Sequence, residues 1–368
     1  MTPISVRSVD ELIAVLPHSL GHQPADALVV VVLSGRTPLF TARLPLHDED
    51  GTLSCPREVG RQVGAIVAAA LRNGGHAVHA VAFEEHRGDS DAAIEALEHH
   101  VREGGLELVD LTIVRDGRRW SPRSPDVRER VEGVSLRPHP DSPAVLLHVL
   151  RGSAPLPDRA AVRALVSEEP HRAPALCDEL EHRVERWLAM AMSGGSRRVP
   201  RQGRLWGEVL DGRVDVEGLT TRQLAGLMLS LLDVDWRDAL IAVAAPGSLP
   251  LGQLRPDTRR AVTRWLSRPS DDVADSGDAR RRLEPLLALA RRAPDAHPLT
   301  ATVCAVAGCV AWHLGLGGLA KDAHERALRI DPDLRLARLG LQVIGLGINP
   351  AGRPAAGPSV ARDTRRAV

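Results

Sequence analysis

The sequence predicts an α/β domain with a mixed, mostly parallel sheet, followed by an all-α domain that ends in a tetratricopeptide-like helical hairpin. Valine-rich runs such as Ala27–Leu33 alternate with amphipathic stretches over residues 1–150, which is typical of α/β architecture. Over residues 151–347 the apolar spacing is helical. A chain of 368 residues is long enough for two hydrophobic cores. Residues 348–368 are rich in Ala, Gly, Pro and Arg, and we expect them to form a disordered tail.

The strands of the first domain are predicted by apolar or alternating runs at Ala27–Leu33, Leu39–Leu46, Ala77–Phe83 and Leu106–Val114. The short Ser34–Pro38 connection between the first two strands suits a hairpin. A helix is predicted at Arg57–Leu71, and another ends near Arg102, because glycine pairs follow both. If these helices are right-handed crossovers, the second, third and fourth strands run in the same direction.

The second domain is predicted to be helical in segments at Leu156–Val166, Ala175–Met192, Arg204–Leu210, Thr221–Leu231, Trp236–Ala244, Asp257–Leu266, Arg280–Ala293, Leu299–Leu314, Gly318–Ile330 and Leu334–Ile344. Small residues and a terminating proline fall at tetratricopeptide spacing at Gly308, Gly315, Ala320, Ala327 and Pro332. No second unit of equal quality follows, so a single closing hairpin and a partner-binding groove are both open. A partner surface would include Lys321, Asp322 and Arg326.

The amino-acid composition disfavours several classes of protein. The 47 basic and 47 acidic residues balance, which argues against a general polyanion binder. The four cysteines are scattered and form no CxxC pair, so we expect free thiols rather than disulfides or a zinc ribbon. No basic region followed by a long apolar run opens the chain, and no apolar run is long enough to cross a bilayer. We therefore expect a cytoplasmic protein that does not contact membranes.

A series of motifs occurs in a fixed order over roughly residues 6–350. They are Pro17, Leu20, Gly21, Pro24, Asp26, Leu28 and Val29, then Ala42-Arg43-Leu44, Trp120-Ser121, Gly152, Pro155-Leu156-Pro157, Arg159, Leu232-Asp233, Arg237-Asp238-Ala239-Leu240, 315–337 and Ile348-Asn349-Pro350. In this order the motifs resemble the family known as domain of unknown function 4192. His22 and Ala27 depart from the family's aromatic and serine, and Pro122–Glu129 lacks its cysteine cluster. The family is typical of actinobacteria. The resemblance implies no activity, because none is established for the family.

Polar residues are predicted to converge where the strands end. In α/β sheets the carboxyl edge is the usual ligand-binding place, and the predicted directions bring the 21–26 turn to that edge. The candidate residues are His22, Asp26, His47, Asp48, Glu84, Glu85, His86, Arg115 and Asp116. Carboxylates and imidazoles in a cleft suit a ligand, a divalent metal or acid–base chemistry, but solvated strand ends are the preferred explanation at this point. Asp26 has a structural alternative, since it can fix the turn by bonding backbone amides.

A basic cluster at Arg197, Arg198, Arg201 and Arg204 is a second candidate, for an anion or nucleic acid. A solvated basic loop is the preferred explanation, because aromatic stacking residues are sparse. The sequence contains no GxGxxG after a strand, no Walker loop, no HExxH and no GxSxG, which disfavours nucleotide-driven, zincin and serine-hydrolase functions. No metal site and no cofactor is assigned.

We therefore interpret the chain as a non-enzymatic binding or adaptor protein, with a protein partner on the helical domain. The alternative is an enzyme or a small-ligand or metal sensor that works at the carboxyl edge of the sheet. A nucleic-acid role is third. The three alternatives predict different experimental results. A ligand site at the sheet edge predicts that substitutions there abolish ligand binding, and an adaptor role predicts that substitutions on the final hairpin remove a protein partner. A nucleic-acid role predicts that the binding affinity falls steeply with salt.

Overall fold

The computed structural model describes residues 5–6, 8–48, 50–136, 142–150, 152–169, 173–192, 202–266, 276–348 and 359–360. The chain divides into two compact units, Met1–Arg159 with Gly345–Val368, and Ala160–Ile344. Most of the predicted tail, residues 348–368, lies outside the described residues. No helix in the described ranges is long and apolar enough to cross a membrane.

The first unit contains the strands and helices β1 Ser5–Val6, α1 Val9–Leu20, β2 Ala27–Ser34, β3 Thr37–Pro45, α2 Pro56–Arg72, β4 Ala77–Phe83, α3 Asp91–Glu103, β5 Glu107–Arg115, β6 Arg118–Trp120, β7 Val134–Ser135, α4 Pro143–Leu150 and β8 Ser359–Val360. Ser8 caps α1 by accepting the Glu11 N–H, and Gly21 ends it in the left-handed conformation. This helix is not among the predicted segments, although Ser8 is followed by Glu11 at capping-box spacing.

The six-stranded sheet has the order β3-β2-β4-β5-β6-β7. The prediction of a mostly parallel sheet is wrong, because β4–β5 is the one parallel neighbour pair among the described strands of this sheet and the other four are antiparallel. One reason is that β2 lies between β3 and β4 and pairs with both. The other is the Asp116-Gly117 turn, which adds β6 as a hairpin partner of β5.

The predicted strand directions are nevertheless correct. Since β3 and β4 both run antiparallel to β2, they point the same way, and β5 is parallel to β4. The α2 crossover therefore joins two strands of the same direction that flank β2. The carboxyl ends of β3, β4 and β5 share an edge with the start of β2.

Both faces of β2 are buried, which explains its continuous valine run. Leu28, Val30 and Val32 pack in a core with α2 and α3. On the opposite face Val29 and Val31 pack in a core with α1 and Ala144 of α4. The rigid centre of the sheet thus holds the loops at its edge.

The second unit consists of helices, at α5 Arg159–Ala164, α6 Ala173–Met192, α7 Gly203–Leu210, α8 Thr221–Ser230, α9 Val234–Ala244, α10 Pro256–Trp265, α11 Ser276–Arg292, α12 Leu299–His313, α13 Gly317–Ile330 and α14 Arg335–Gly345. Its core is built from leucine, alanine and valine around the fully buried Trp206 and Trp236. The Trp206 indole N–H donates to the Ser230 hydroxyl at 2.8 Å, so its polar edge is satisfied.

His324 of α13 is fully buried among three helices. Its ring lies so close to Gly308 of α12 and Gly340 of α14 that a Cβ at Gly308 would be 2.7 Å from its Cε1. Neither ring nitrogen has a hydrogen-bond partner, and burial lowers the pKa of His324 to about 4. The imidazole is therefore a neutral packing group that requires two glycines opposite it.

Arg326 and Asp322 were expected on a partner surface, and this is wrong for both. Arg326 is 2% exposed and Asp322 is also buried. The Arg326 guanidinium donates to the Val166, Ala290 and Ala293 carbonyls at 2.7–2.8 Å and to the Asp295 carboxylate. These carbonyls lie in the last turn of a helix or just beyond its end, where carbonyls lack a regular helical partner four residues on, and the cation bonds them there. Lys321 is exposed and pairs with Glu325.

Candidate functional site

The carboxyl edge of the sheet brings four chain segments together. In the register of the sheet Ala27 lies between Pro45 and Phe83, and Phe83 lies beside Val114. The residues just beyond these positions therefore project from one edge. They belong to the turn before β2 and to the loops after β3, β4 and β5.

Asp26 and His47 form a pair at this edge. Asp26 has a φ of +46°, in the left-handed region that non-glycine residues rarely adopt. The His47 Nδ1–H donates to the Asp26 carboxylate at 2.5 Å, and their side chains are 19% and 31% exposed. This hydrogen bond is the main cause that raises the pKa of His47, and the charges of Asp26, Asp89 and Glu85 add to it. Asp26 was expected to bond backbone amides. Among the described residues, the hydrogen-bond partner of its carboxylate is instead His47.

Asp48, the next residue, has a structural role. Its Oδ1 accepts the backbone N–H groups of Asp50 and Thr52 at 3.0 and 2.9 Å. The Asp48 N–H donates to the Thr52 carbonyl, and His47 forms a bridge with Leu53. The carboxylate thus closes the loop that fixes the backbone of His47.

Glu84 and Arg115 form a second, more buried pair. The Glu84 side chain is 2% exposed, and its Oε2 accepts from Arg115 Nη1 at 2.7 Å. Its Oε1 accepts from the Ser90 hydroxyl and N–H at 2.5 and 3.1 Å. The Arg115 guanidinium also stacks on Trp120 at 4.6 Å. Because every charge here has an internal partner, the pair holds β4, β5 and the start of α3 together.

The three remaining residues of this edge are exposed. The His86 N–H donates to the Asp89 carboxylate at 2.7 Å, which closes the turn before α3. Asp116 lies in the β5–β6 turn with a φ of +49°, and Gly117 follows at +68°. Two positive φ values define the type I′ turn that an Asp-Gly pair favours. Glu85 contributes its charge to His47.

His22 lies on a different part of the turn before β2. It is 3% exposed, and its Nδ1–H donates to the Gln23 carbonyl at 2.8 Å. Burial is the largest cause that lowers the pKa of His22, and the nearby positive charges of Arg43 and Arg159 lower it further. A β-bridge joins His22 to Leu156, which brings the segment before Arg159 alongside.

Arg43 of β3 and Arg159 are the functional candidates that the sequence analysis missed as site residues. Arg43 was noted only within a family motif, although a lone arginine between the apolar Ala42 and Leu44 is itself a signal. The Arg43 Nη2–H donates to the Ala25 carbonyl at 3.1 Å, and its Nε is buried without a hydrogen-bond partner.

Of the predicted basic cluster, Arg197, Arg198 and Arg201 lie outside the described residues. Arg204 is described, and it pairs with Glu208 one turn along α7 at 2.9 Å. The described residues contain no group of three or more His, Cys, Asp or Glu side chains that could hold a metal ion.

Comparison with known proteins gives one match. A family model described as Domain of unknown function (DUF4192) matches residues 10–351, nearly the whole chain. No curated protein matches the chain, and no solved structure matches it.

Proposed function

The chain belongs to the DUF4192 family, whose description names no activity, and we propose that its N-terminal unit binds a small polar ligand at the carboxyl edge of the sheet. The site is centred on His47 and extends through Asp26 to Arg43. A cytoplasmic location, expected from the sequence, is part of this proposal.

The observation that carries the proposal is the left-handed Asp26 bonded to His47. A non-glycine residue in this region costs about 1–2 kcal/mol, and the fold retains it where surrounding contacts over-determine it. This unfavourable backbone conformation places the Asp26 carboxylate 2.5 Å from the His47 imidazole, at the sheet edge where α/β folds bind ligands. Since Nδ1 is taken by Asp26, Nε2 is the nitrogen that can face a ligand.

Glu84 and Arg115 support this site without contacting the ligand. Their charges satisfy each other, and Glu84 is nearly inaccessible. Asp48 and Asp89 similarly bond backbone N–H groups of their own loops. Three of the nine predicted residues, Glu84, Arg115 and Asp48, thus have structural roles, and the ligand-facing groups centre on His47, with Asp26 bonded to it and the exposed Glu85 nearby.

The enzyme alternative uses the same pair, because an aspartate that orients a histidine is what a general base needs. An Asp–His pair also serves as a plain hydrogen-bonding group for a ligand. Binding is the proposal because it requires only the groups that the edge presents.

Native mass spectrometry of the protein, purified gently from its own host, tests the proposal. We expect a non-covalent small-molecule mass on the wild-type chain, its loss in His47→Ala, and its retention in His99→Ala, a matched change of an exposed histidine of α3 outside the edge loops. A His47→Ala protein that retains the same mass would contradict the site.

A second candidate, an adaptor role for the helical unit, has its own observation. The close packing of α12, α13 and α14 at His324 depends on small residues, as tetratricopeptide helices do. We extend the proposal to a tetratricopeptide-like arrangement with a protein partner on its exposed side, which includes Lys321. Pull-down with Lys321→Glu tests it, because a partner held there would be lost while the small-molecule mass is kept.

A further inference from the structure

Two arginines, Arg43 and Arg159, act on the turn before β2 in addition to the pairs at the sheet edge. Arg43 lies opposite Val29 in the register of β2 and β3, so it is two residues inside the edge that Pro45 ends. Its guanidinium reaches back to the Ala25 carbonyl at 3.1 Å. The Arg43 guanidinium is thus bonded to the residue that precedes Asp26.

Two backbone hydrogen bonds bring a second cation to the same turn. Leu156 donates its N–H to the Gly21 carbonyl, and Gln23 donates its N–H to the Leu156 carbonyl, both at 2.9 Å. This short bridge fixes the chain three residues before Arg159. Arg159 acts electrostatically on both Arg43 and the buried His22.

The guanidinium of Arg43 is incompletely satisfied. Its Nε is shielded from solvent and has no hydrogen-bond partner, and an unpaired buried donor is unfavourable. Burial, followed by the charge of Arg159, lowers the pKa of Arg43. Protein groups near it therefore leave a cation in need of an acceptor.

The carboxylates nearby do not remove this need. Asp26 acts on Arg43, but its Oδ1 is bonded to His47, whose protonated form it favours. Asp158 acts on His22. The carboxylate that acts on Arg43 is thus shared with a histidine.

We infer that Arg43, with Arg159 and His22 beside it, forms the subsite for an oxyanion, a carboxylate or phosphate group of the ligand. The inference rests on the proposed function, and it names the chemical class that this function leaves open. Guanidinium groups suit such anions because their N–H donors match two oxygens at once. His22 offers its Nε2 edge, since Nδ1 is bonded to Gln23.

Calorimetric titration of the full chain with inorganic phosphate, and separately with acetate, at fixed ionic strength tests the subsite. We expect wild type to bind at least one anion, with a Kd at least about tenfold higher in Arg43→Gln and in Arg159→Gln, since each charged hydrogen bond contributes about 1.5–3 kcal/mol. Arg36→Gln, a change of an exposed arginine in the β2–β3 turn, leaves the Kd unchanged. The anion that binds more tightly identifies phosphate or carboxylate as the group.

Failure of wild type to bind either anion overturns the inference, and so does an Arg43→Gln protein that binds as tightly as Arg36→Gln. Because Arg43 also holds the Ala25 carbonyl, circular dichroism checks that its variant folds, and Arg159→Gln carries the test if it does not. If no anion binds while the mass lost in His47→Ala is still found on wild type, the subsite fails and the proposed function stands.

Discussion

The buried imidazole of His324 predicts a specific loss of stability in mild acid. Its pKa in the folded chain is about 4, against an ordinary value of 6.5, because burial disfavours the charged ring. The unfolded chain therefore binds the proton first. The stability contribution is complete above about pH 6.5 and is lost progressively as the pH falls toward 4.

The size of the effect follows from the two pKa values. Between pH 7.5 and 5.5 the linkage relation gives a loss of about 1.3 kcal/mol from this one residue. Urea unfolding at the two pH values measures it, followed by tryptophan fluorescence. Five of the six tryptophans lie in the helical unit, so the signal reports mainly on the unit that holds His324.

Two variants isolate the residue from other titrating groups. In His324→Ala the overall stability falls, because a cavity opens between Gly308 and Gly340, but the acid-dependent loss is smaller than in wild type by about 1.3 kcal/mol. His182→Ala, a change of an exposed histidine of α6, retains the wild-type dependence. Equal pH dependence in wild type and His324→Ala would refute the reasoning.

Two further pairs of substitutions, one pair in each unit, give opposed expectations. Gly308→Ala destabilises the helical unit by about 1–3 kcal/mol, because its Cβ would contact the buried His324 ring. Gly317→Ala does not destabilise the unit, because there is open space around that position. Urea unfolding compares the two variants. Glu84→Ala removes the partner of the largely buried Arg115 charge and destabilises the first unit by about 3–5 kcal/mol. Glu85 is exposed, so Glu85→Ala changes stability by less than about 0.5 kcal/mol, and calorimetric melting distinguishes the two variants. Equal effects within either matched pair would contradict the packing described.

The direction of the strands could be predicted, whereas their neighbours could not. Right-handed crossovers and one hairpin fix the directions of β3, β4 and β5, and hence the residues at the carboxyl edge. A hairpin strand can lie on either side of its partner, and the sequence does not say that β2 inserts between β3 and β4. The Asp116-Gly117 turn was readable as a hairpin signal, but the strand after it has three residues and no apolar run.

The candidate site was predicted as a set of residues, and its internal pairing was not. Glu84 and Asp26 are both acidic residues beside a strand, yet one is buried against Arg115 and the other meets His47. Which partner each carboxylate finds depends on loop geometry set by distant contacts. Arg326 could not be predicted to be buried for the same reason. Its guanidinium donates to backbone carbonyls of distant segments, and sequence spacing does not show which carbonyls lie near it.

A crystal structure of the protein purified with its retained small molecule tests the central claim most directly. The account predicts ligand density within hydrogen-bond distance of His47 Nε2, with an anionic group toward Arg43, at the carboxyl edge of the sheet. Density enclosed by other residues, with His47 and Arg43 contacting only protein and water, would contradict it.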